Sequence, residues 1–199
     1  MSKLRFGEDV DEDRFDRIFA PQYHLQSSVH FSPIEVARWI ALWIAPLDVR
    51  RFVDIGCGVG KLCLLMRILS NHEVCGIEQR PKLVKVANKI IRSNYFKNIH
   101  VIEKNMMDLK WIDFDIYYFF NPFQEHLFAG IGGALDRDIE FDAKTYYEYT
   151  TEVFKQLNFA KRGKFLITYH GYGGEIPSRW RKLAEKRIDN GDLIFWVND

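Results

Sequence analysis

The sequence lacks an excess of charge of either sign. It has 28 Lys and Arg against 27 Asp and Glu over 199 residues, which gives a formal net charge of +1 at pH 7. A protein with so small a net charge does not attract nucleic acid through its overall field, although a local basic patch can still do so. Nucleic acid is therefore neither required nor excluded as a partner.

Long apolar runs and paired cysteines are also missing. No run reaches the roughly 18 to 20 apolar residues that a membrane-spanning helix needs, and the acidic segment MSKLRFGEDVDEDRFD has no apolar stretch typical of a secretory signal. The three cysteines, Cys57, Cys63 and Cys75, show neither C-x-x-C spacing nor a nearby His pair, which argues against disulfides and a metal site. We therefore expect a cytoplasmic protein with reduced cysteines, no metal and no membrane partner.

The chain has the length and composition of one folded α/β unit. With 47% hydrophobic residues, 199 residues suffice for one well-filled core and leave no room for a sizeable second domain. We expect a mobile acidic tail over residues 1–14, and a single domain over residues 15–199 that includes an N-terminal helix at 33–45.

The segment HFSPIEVARWIALWIAP contains signals for both ends of that helix. Ser32 is placed to be the N-cap, Pro33 to be the first helical residue and Glu35 to complete a capping box. Apolar residues then recur at helical spacing until Pro46 ends the helix.

Short apolar segments alternate with amphipathic ones from Arg51 onward, which is typical of parallel strands joined by crossover helices. The predicted strands are 51–55, 73–77, 98–102, 114–120, 164–169 and 192–197, and the predicted helices are 60–70, 81–93, 142–160 and 178–188.

The segment FVDIGCGVGK has the pattern of a cofactor loop between a strand and a helix. Gly56, Gly58 and Gly60 alternate, and Lys61 stands where the third glycine of the dinucleotide fingerprint G-x-G-x-x-G would be. This spacing argues against NAD. Residues without a Cβ let the backbone pass close to a ligand, next to the N–H groups that begin a helix.

The second predicted strand, EVCGIE, ends in Glu78. A carboxylate at that strand end can accept hydrogen bonds from both hydroxyls of a ribose. The loop and this acid together indicate a cofactor that contains adenosine. The alternative is purely structural, with a tight glycine turn and with Glu78 capping the helix that begins at Pro81.

The chain from about His30 to its end resembles the class I S-adenosylmethionine-dependent methyltransferases. The resemblance implies their Rossmann-like fold, a doubly wound and mostly parallel sheet with strand order 3-2-1-4-5 plus a C-terminal strand and with helices on both faces. It also implies S-adenosylmethionine as the cofactor.

Three motifs carry this resemblance, and each implies roles for particular residues. In the first motif, VDIGCGVG, Asp54 is the acidic residue, and the loop beside the amino-acid part of the cofactor consists of Gly56, Cys57, Gly58 and Gly60. Glu78 matches the ribose-binding acid, and Gln79 would flank the adenine. In NMMD, Asp108 would accept a hydrogen bond from the adenine amino group.

Asn121-Pro122-Phe123, the NPF segment, follows the apolar run FDIYYFF and supplies the predicted catalytic residues. In a doubly wound sheet the carboxyl end of this strand adjoins that of the first strand, where ligands bind. The segment resembles the (Asp/Asn)-Pro-Pro-aromatic motif of amino-methyltransferases that act on adenine N6 or a glutamine amide. The resemblance implies that Asn121, beside the cofactor, and Pro122 accept the hydrogens of a planar amino group. The sequence departs from the motif at Phe123 and Gln124, where the second proline and the aromatic residue would stand.

His170, in the segment TYHGYGG, is a candidate general base, because it follows the fifth predicted strand and would face the same cleft. The alternative is a polar turn without a catalytic role.

These residues together predict methyl transfer from S-adenosylmethionine to an unidentified acceptor, and the expected acceptor atom is a nitrogen of a nucleic acid, a protein or a small molecule. One alternative is a non-catalytic S-adenosylmethionine-binding module, or a subunit whose partner protein recognises the substrate. A more distant alternative is an NAD-dependent oxidoreductase, which shares the strand-turn-helix topology.

Overall fold

The structure, a computed structural model, describes residues 10–127 and 142–199. Across these residues the chain forms a seven-stranded sheet in the order β3-β2-β1-β4-β5-β7-β6. Strands β1 to β5 are parallel, and β7 and β6 are antiparallel additions at one edge. The strands are β1 (Arg51–Ile55), β2 (Glu73–Glu78), β3 (Ile99–Glu103), β4 (Ile116–Phe120), β5 (Phe165–Tyr169), β6 (Trp180–Ile188) and β7 (Gly191–Asn198). This topology confirms the predicted doubly wound fold and its strand order.

Helices cover both faces of the sheet, as predicted. They are α1 (Glu12–Asp16), α2 (Pro21–His24), α3 (Ser27–His30), α4 (Ile34–Ile44), α5 (Lys61–Leu69), α6 (Pro81–Ser93) and α7 (Ala143–Phe159). Helices α4, α5 and α6 pack on one face, in a core that includes Phe52 and Tyr118, whereas α7 packs on the other face with Val53 and Tyr117. Neighbouring strand residues point to opposite faces, so each strand contributes to both cores. None of the helices in the described residues is long and apolar enough to cross a membrane.

The prediction of a helix over residues 178–188 is wrong, because this segment forms strand β6. Its sequence WRKLAEKRI is rich in helix formers, but pairing with β7 overrides that preference. The two strands are joined by Asp189 and Asn190, and Asp189 has a positive φ of +48°. The dipeptide Asn190-Gly191 was the available hairpin signal.

The prediction of Ser32 as the N-cap of the first long helix is also wrong. The N-cap is Pro33, and it forms no side-chain capping bond. The Ser32 hydroxyl instead shares a 2.7 Å hydrogen bond with the buried Tyr118 hydroxyl. The backbone N–H of Ile34 donates to the carboxylate of Glu12, so a residue distant in sequence caps this helix.

Glu12 belongs to α1, which overlaps the acidic tail expected at residues 1–14. It also pairs with Lys61 at the start of α5, and Asp16 lies 2.8 Å from the same ammonium group. Lys61 is almost fully buried, and a buried ammonium requires such acidic partners. The part of the tail before residue 10 lies outside the described residues.

Candidate active site

The glycine loop after β1 has a backbone shape that requires glycine at Gly56. Its φ of +82° is in the left-handed region that other residues rarely adopt. A Cβ at Gly56 would lie 2.7 Å from the Cβ of Pro122. The backbone N–H groups of Gly56 and Cys57 donate to the carbonyl oxygen of Ile77 at 2.8 and 3.0 Å. The loop is therefore held against both β2 and the NPF segment.

Glu78, at the end of β2, is the most completely hydrogen-bonded acid of the site. Its side chain is 2% exposed. Oε2 accepts hydrogen bonds from the backbone N–H of Gly58 at 3.0 Å and from Nη2 of Arg80 at 3.1 Å. Oε1 accepts from the backbone N–H and Nε of Arg80 at 3.0 and 2.9 Å. These contacts use about all the acceptor positions of a carboxylate.

Arg80 connects Glu78 to the segment that follows the NPF residues. Its Nη1 donates to Oε2 of Glu125 at 3.0 Å. The other oxygen of Glu125 lies 3.7 Å from Nδ1 of His30. One guanidinium therefore joins the cofactor side of the cleft to the turn beyond β4.

A cavity opens between the glycine loop, the end of β2 and the NPF segment. Its empty volume is about 360 Å³, including the open mouth. The lining residues are Ile55, Gly56, Ile77, Glu78, Gln79, Arg80, Lys104, Met106, Pro122, Phe123 and Tyr149.

Three polar side chains form a closed hydrogen-bonded cluster beside this cavity. Nδ2 of Asn105 donates to Oε1 of Gln79 at 3.1 Å and to the Tyr149 hydroxyl at 2.7 Å. The Tyr149 hydroxyl donates in turn to Oε1 of Gln79 at 3.0 Å. The cluster joins the ends of β2 and β3 to helix α7, and its donors and acceptors suit the polar edge of a base.

The NPF segment leaves β4 with its residues in different environments. Pro122 and Phe123 line the cavity, and Phe123 is 4% exposed. Asn121 has a positive φ of +38° and is partly buried. Its backbone N–H donates to the carbonyl oxygen of Gly171 at 2.9 Å, and its Nδ2 donates to Oε1 of Gln124. The strained backbone of Asn121 is thus held by contacts to two loops.

Asp54, near the end of β1, and Cys57, within the glycine loop, are both buried, and neither lines the cavity. Asp54 is 4% exposed and accepts a hydrogen bond from Sγ of Cys63 at 3.5 Å. Burial raises the pKa of Asp54 to about 7. All three cysteines, Cys75 included, are free and buried, which confirms the expected thiols.

The structure does not bring Asp108 or His170 to the cavity. Asp108 is exposed at the end of the turn Met106–Asp108, in which Met106 is the residue that lines the cavity. His170 is also exposed, and its Nε2 would lie 2.2 Å from a Cβ at Gly191. Its ring therefore rests against Gly191, at the start of β7. The contact arises because β6 and β7 form an antiparallel hairpin, whereas a helix had been predicted over residues 178–188.

Five further residues line or adjoin the cavity without having been predicted from the sequence, namely Arg80, Lys104, Asn105, Met106 and Tyr149. Asn105 and Met106 belong to the NMMD motif itself, in which Asp108 was the predicted partner of the adenine amino group. Arg80 follows Glu78 by two residues, which was an available signal. Tyr149 comes from α7, far along the chain, and no local pattern identifies it.

These residues fit S-adenosylmethionine. Gly56 lines the cavity and lets Pro122 lie close against the loop, and Glu78 presents a carboxylate at the cavity wall. The hydrogen-bonded cluster of Gln79, Asn105 and Tyr149, here called the Gln79 cluster, offers polar groups to a ligand. Apolar side chains such as Met106 supply a surface for a base.

Comparisons with known proteins agree with this fit. The family model described as a methyltransferase domain matches residues 48–193. No curated protein matches the chain. An RNA methyltransferase from Salinibacter ruber in complex with S-adenosyl-L-homocysteine is similar, with 16% identity, a TM-score of 0.55 and coverage of 84% of this chain and 92% of that chain.

Two further solved structures are similar at comparable levels. A methyltransferase from Geobacter sulfurreducens has 14% identity, a TM-score of 0.59 and coverage of 89% of this chain and 90% of that chain. A mutant of MtNAS in complex with S-adenosylmethionine has 12% identity, a TM-score of 0.55 and coverage of 99% and 72%. Likeness at such identities shows the fold. The family match covers most of the chain, and this protein therefore belongs to the methyltransferase-domain family, as a class I S-adenosylmethionine-dependent methyltransferase.

Proposed function

We propose that this enzyme methylates a nitrogen atom, in an amino or amide group of a nucleic acid, a protein or a small molecule, and that Asn121 and Pro122 orient that nitrogen. The observation that carries the proposal is the contact between Pro122 and Gly56. It puts the NPF segment directly beside the cofactor loop, within the reach that an in-line transfer requires.

The cofactor is held by the glycine loop, by Glu78 and by the Gln79 cluster. S-adenosylmethionine supplies an electrophilic methyl group. Glu78 accepts hydrogen bonds from the ribose hydroxyls, and Arg80, which now donates to the same oxygens, has to give up part of this pairing. Binding of the ribose is therefore a competition with the Arg80 side chain.

Asn121 and Pro122 act by positioning the acceptor. Because Nδ2 of Asn121 is engaged with Gln124, its Oδ1 is the group that accepts a hydrogen from an incoming amine. The carbonyl oxygen of Pro122 accepts the second hydrogen. Both acceptors gain strength as positive charge develops on the nitrogen, so they favour the transition state over the ground state.

The first experiment is transfer from methyl-labelled S-adenosylmethionine to a cell lysate, followed by nuclease, protease and small-molecule filtration. Wild type is compared with Asn121→Ala. Label that appears in wild type and not in the variant supports the proposal and identifies the class of acceptor. Equal label in both would exclude the assigned role of Asn121.

A second candidate function is that of a subunit that binds the cofactor but depends on a partner protein for substrate recognition. The observation in its favour is Gln124, which replaces the motif aromatic and bonds to Asn121. Turnover of any acceptor by the purified chain alone would exclude this candidate. Cofactor binding without turnover, restored by adding a lysate fraction, would support it.

A further inference from the structure

The basic residues are concentrated in one part of this nearly neutral chain. Between Arg80 and Lys104 there are seven Lys and Arg and one acidic residue, Glu103. This stretch has a formal charge of +6, so the rest of the chain has −5. It comprises helix α6 and strand β3, at the edge of the sheet.

Three of these cations form an exposed stripe along α6. Lys85, Lys89 and Arg92 are all exposed, and their spacing of four and three residues puts them on the same face of the helix. In the part of the chain that the structure describes, no ion pair joins any of the three to an acidic side chain. Like charges so close together repel one another unless an anion binds them.

Helix α7 shows how the same protein arranges charges that only face water. Its Lys144 lies 3.6 Å from Glu148, and its Lys155 lies 3.4 Å from Glu152. Each lysine thus has an acid one helical turn away. Helix α6 has no acidic residue in its 13 positions, so its charge is not balanced within the helix.

An exposed aromatic residue lies just beyond the end of the stripe. Tyr95 is 89% exposed and has a positive φ of +54°, which is rare for a bulky residue. Lys97, also exposed, follows two residues later. A flat aromatic ring beside a row of cations is the combination that binds single-stranded nucleic acid, through base stacking and phosphate contacts.

We propose that the outer face of α6, with Tyr95 and Lys97, binds a single strand of nucleic acid. A lipid surface is a poorer match, because the apolar residues of α6 that could insert into it, Leu83, Val84, Ala87, Ile90 and Ile91, are buried against the sheet. Only the N-terminal end of the helix lies near the cavity, because Arg80, which directly precedes the helix, lines that cavity. It binds the strand whether or not the methylated atom belongs to that strand.

The test is the fluorescence anisotropy of a labelled single-stranded RNA of about 12 nucleotides, titrated with the protein at several salt concentrations. The triple variant K85Q/K89Q/R92Q should lower the slope of log K against log salt by about 2, from three lost phosphate contacts. The matched control K144Q/K155Q/K161Q also removes three positive charges, two from α7 and one at Lys161, two residues after its end. It should leave the slope unchanged.

Tyr95→Ala provides a measurement that does not depend on charge. Loss of one stacked base should weaken binding about tenfold or more, whereas Tyr147→Ala, at a 65% exposed tyrosine of α7, should have no effect. S-adenosylhomocysteine affinity should stay at the wild-type value in every variant. No RNA binding by wild type, equal losses in the α6 and α7 variants, or equal competition by poly-glutamate would each overturn the proposal.

Discussion

The cofactor half of the cleft and its acceptor half are built from different kinds of contact. The cofactor half, from Gly56 to Gly60 with Glu78, is buried except at Gly56 and is closed by backbone hydrogen bonds and by Arg80. The acceptor half, around Asn121, has a positive backbone φ of +38° at this partly buried residue, which follows the end of β4. Rigid, satisfied contacts suit a ligand that is always the same, whereas loops adapt to a particular acceptor.

Gly56→Ala should damage both halves, because it joins them. The new methyl group would meet Pro122 at 2.7 Å in a backbone conformation with φ of +82°, so we expect a loss of about 3 kcal/mol in the free energy of unfolding and loss of cofactor binding. The control is Gly163→Ala, where φ is +80° but the space is open. It should cost about 1 kcal/mol, and an equal cost for the two variants in urea unfolding would contradict the steric argument.

Asp54→Asn should separate the pH dependence of the buried loop from that of the rest of the protein. Because burial raises the pKa of Asp54 from 3.8 to about 7, its contribution to stability is fully present below pH 4 and is lost as pH rises to about 7. This lowers the free energy of unfolding by about 4 kcal/mol. The Asn variant has no titrating group at this position and does not show this decrease. Urea unfolding from pH 4 to 8 should therefore show wild type losing stability relative to the variant, and a constant difference would be evidence against the raised pKa.

Glu78→Gln and Asn121→Ala should show opposite kinetic signatures. Glu78→Gln replaces a charged acceptor of the ribose, so calorimetry should show roughly 100-fold weaker binding of S-adenosylhomocysteine. Asn121→Ala should leave this affinity unchanged and lower turnover by roughly 100-fold, as expected for a group that stabilises developing charge. If Asn121→Ala instead weakened cofactor binding, the division into two halves would be incorrect.

Arg80→Gln should strengthen cofactor binding, since Arg80 competes with the ribose for Glu78. We expect S-adenosylhomocysteine to bind about fivefold more tightly, from the removal of about 1 kcal/mol of competing hydrogen bonds. Lys104→Gln is the control, because Lys104 also lines the cavity and its bond to Glu78 is a backbone one, from its N–H to the Glu78 carbonyl oxygen at 3.0 Å, which the substitution keeps. Weaker binding in Arg80→Gln would show that Arg80 orients Glu78 for the ribose.

His170→Ala should have the smallest effect. His170 is exposed and packs against Gly191, away from the cavity, so turnover in the labelled transfer assay should stay at the wild-type level. A loss of roughly 100-fold or more, the usual contribution of a general base, would restore its predicted catalytic role.

The parallel part of the fold could be predicted from the sequence because each element there has a local signal. These signals depend on spacing along the chain. They are the apolar run before the NPF segment, the apolar face of α6 and the glycines after β1. Strand β6 could not be identified in this way. Its residues favour a helix in isolation, and only the ladder with β7 gives their backbone groups better partners.

The cofactor half was predicted better than the acceptor half for the same reason. Gly56 and Glu78 are close to the strand ends that position them, and both line the cavity. Asp108 was predicted from the NMMD motif, of which it is the last residue. The turn Met106–Asp108, which follows β3, leaves Asp108 pointing away from the cavity.

By itself, the sequence determined the methyltransferase fold, the glycine loop and the acid at the end of β2, because spacing and strand ends are local properties. The tertiary structure decided which side chains complete the site. Tyr149 reaches Gln79 from a helix 70 residues away, Glu12 caps α4, and Arg80 spans from Glu78 to Glu125. Such contacts join elements that only packing brings together, and no pattern within one segment contains them.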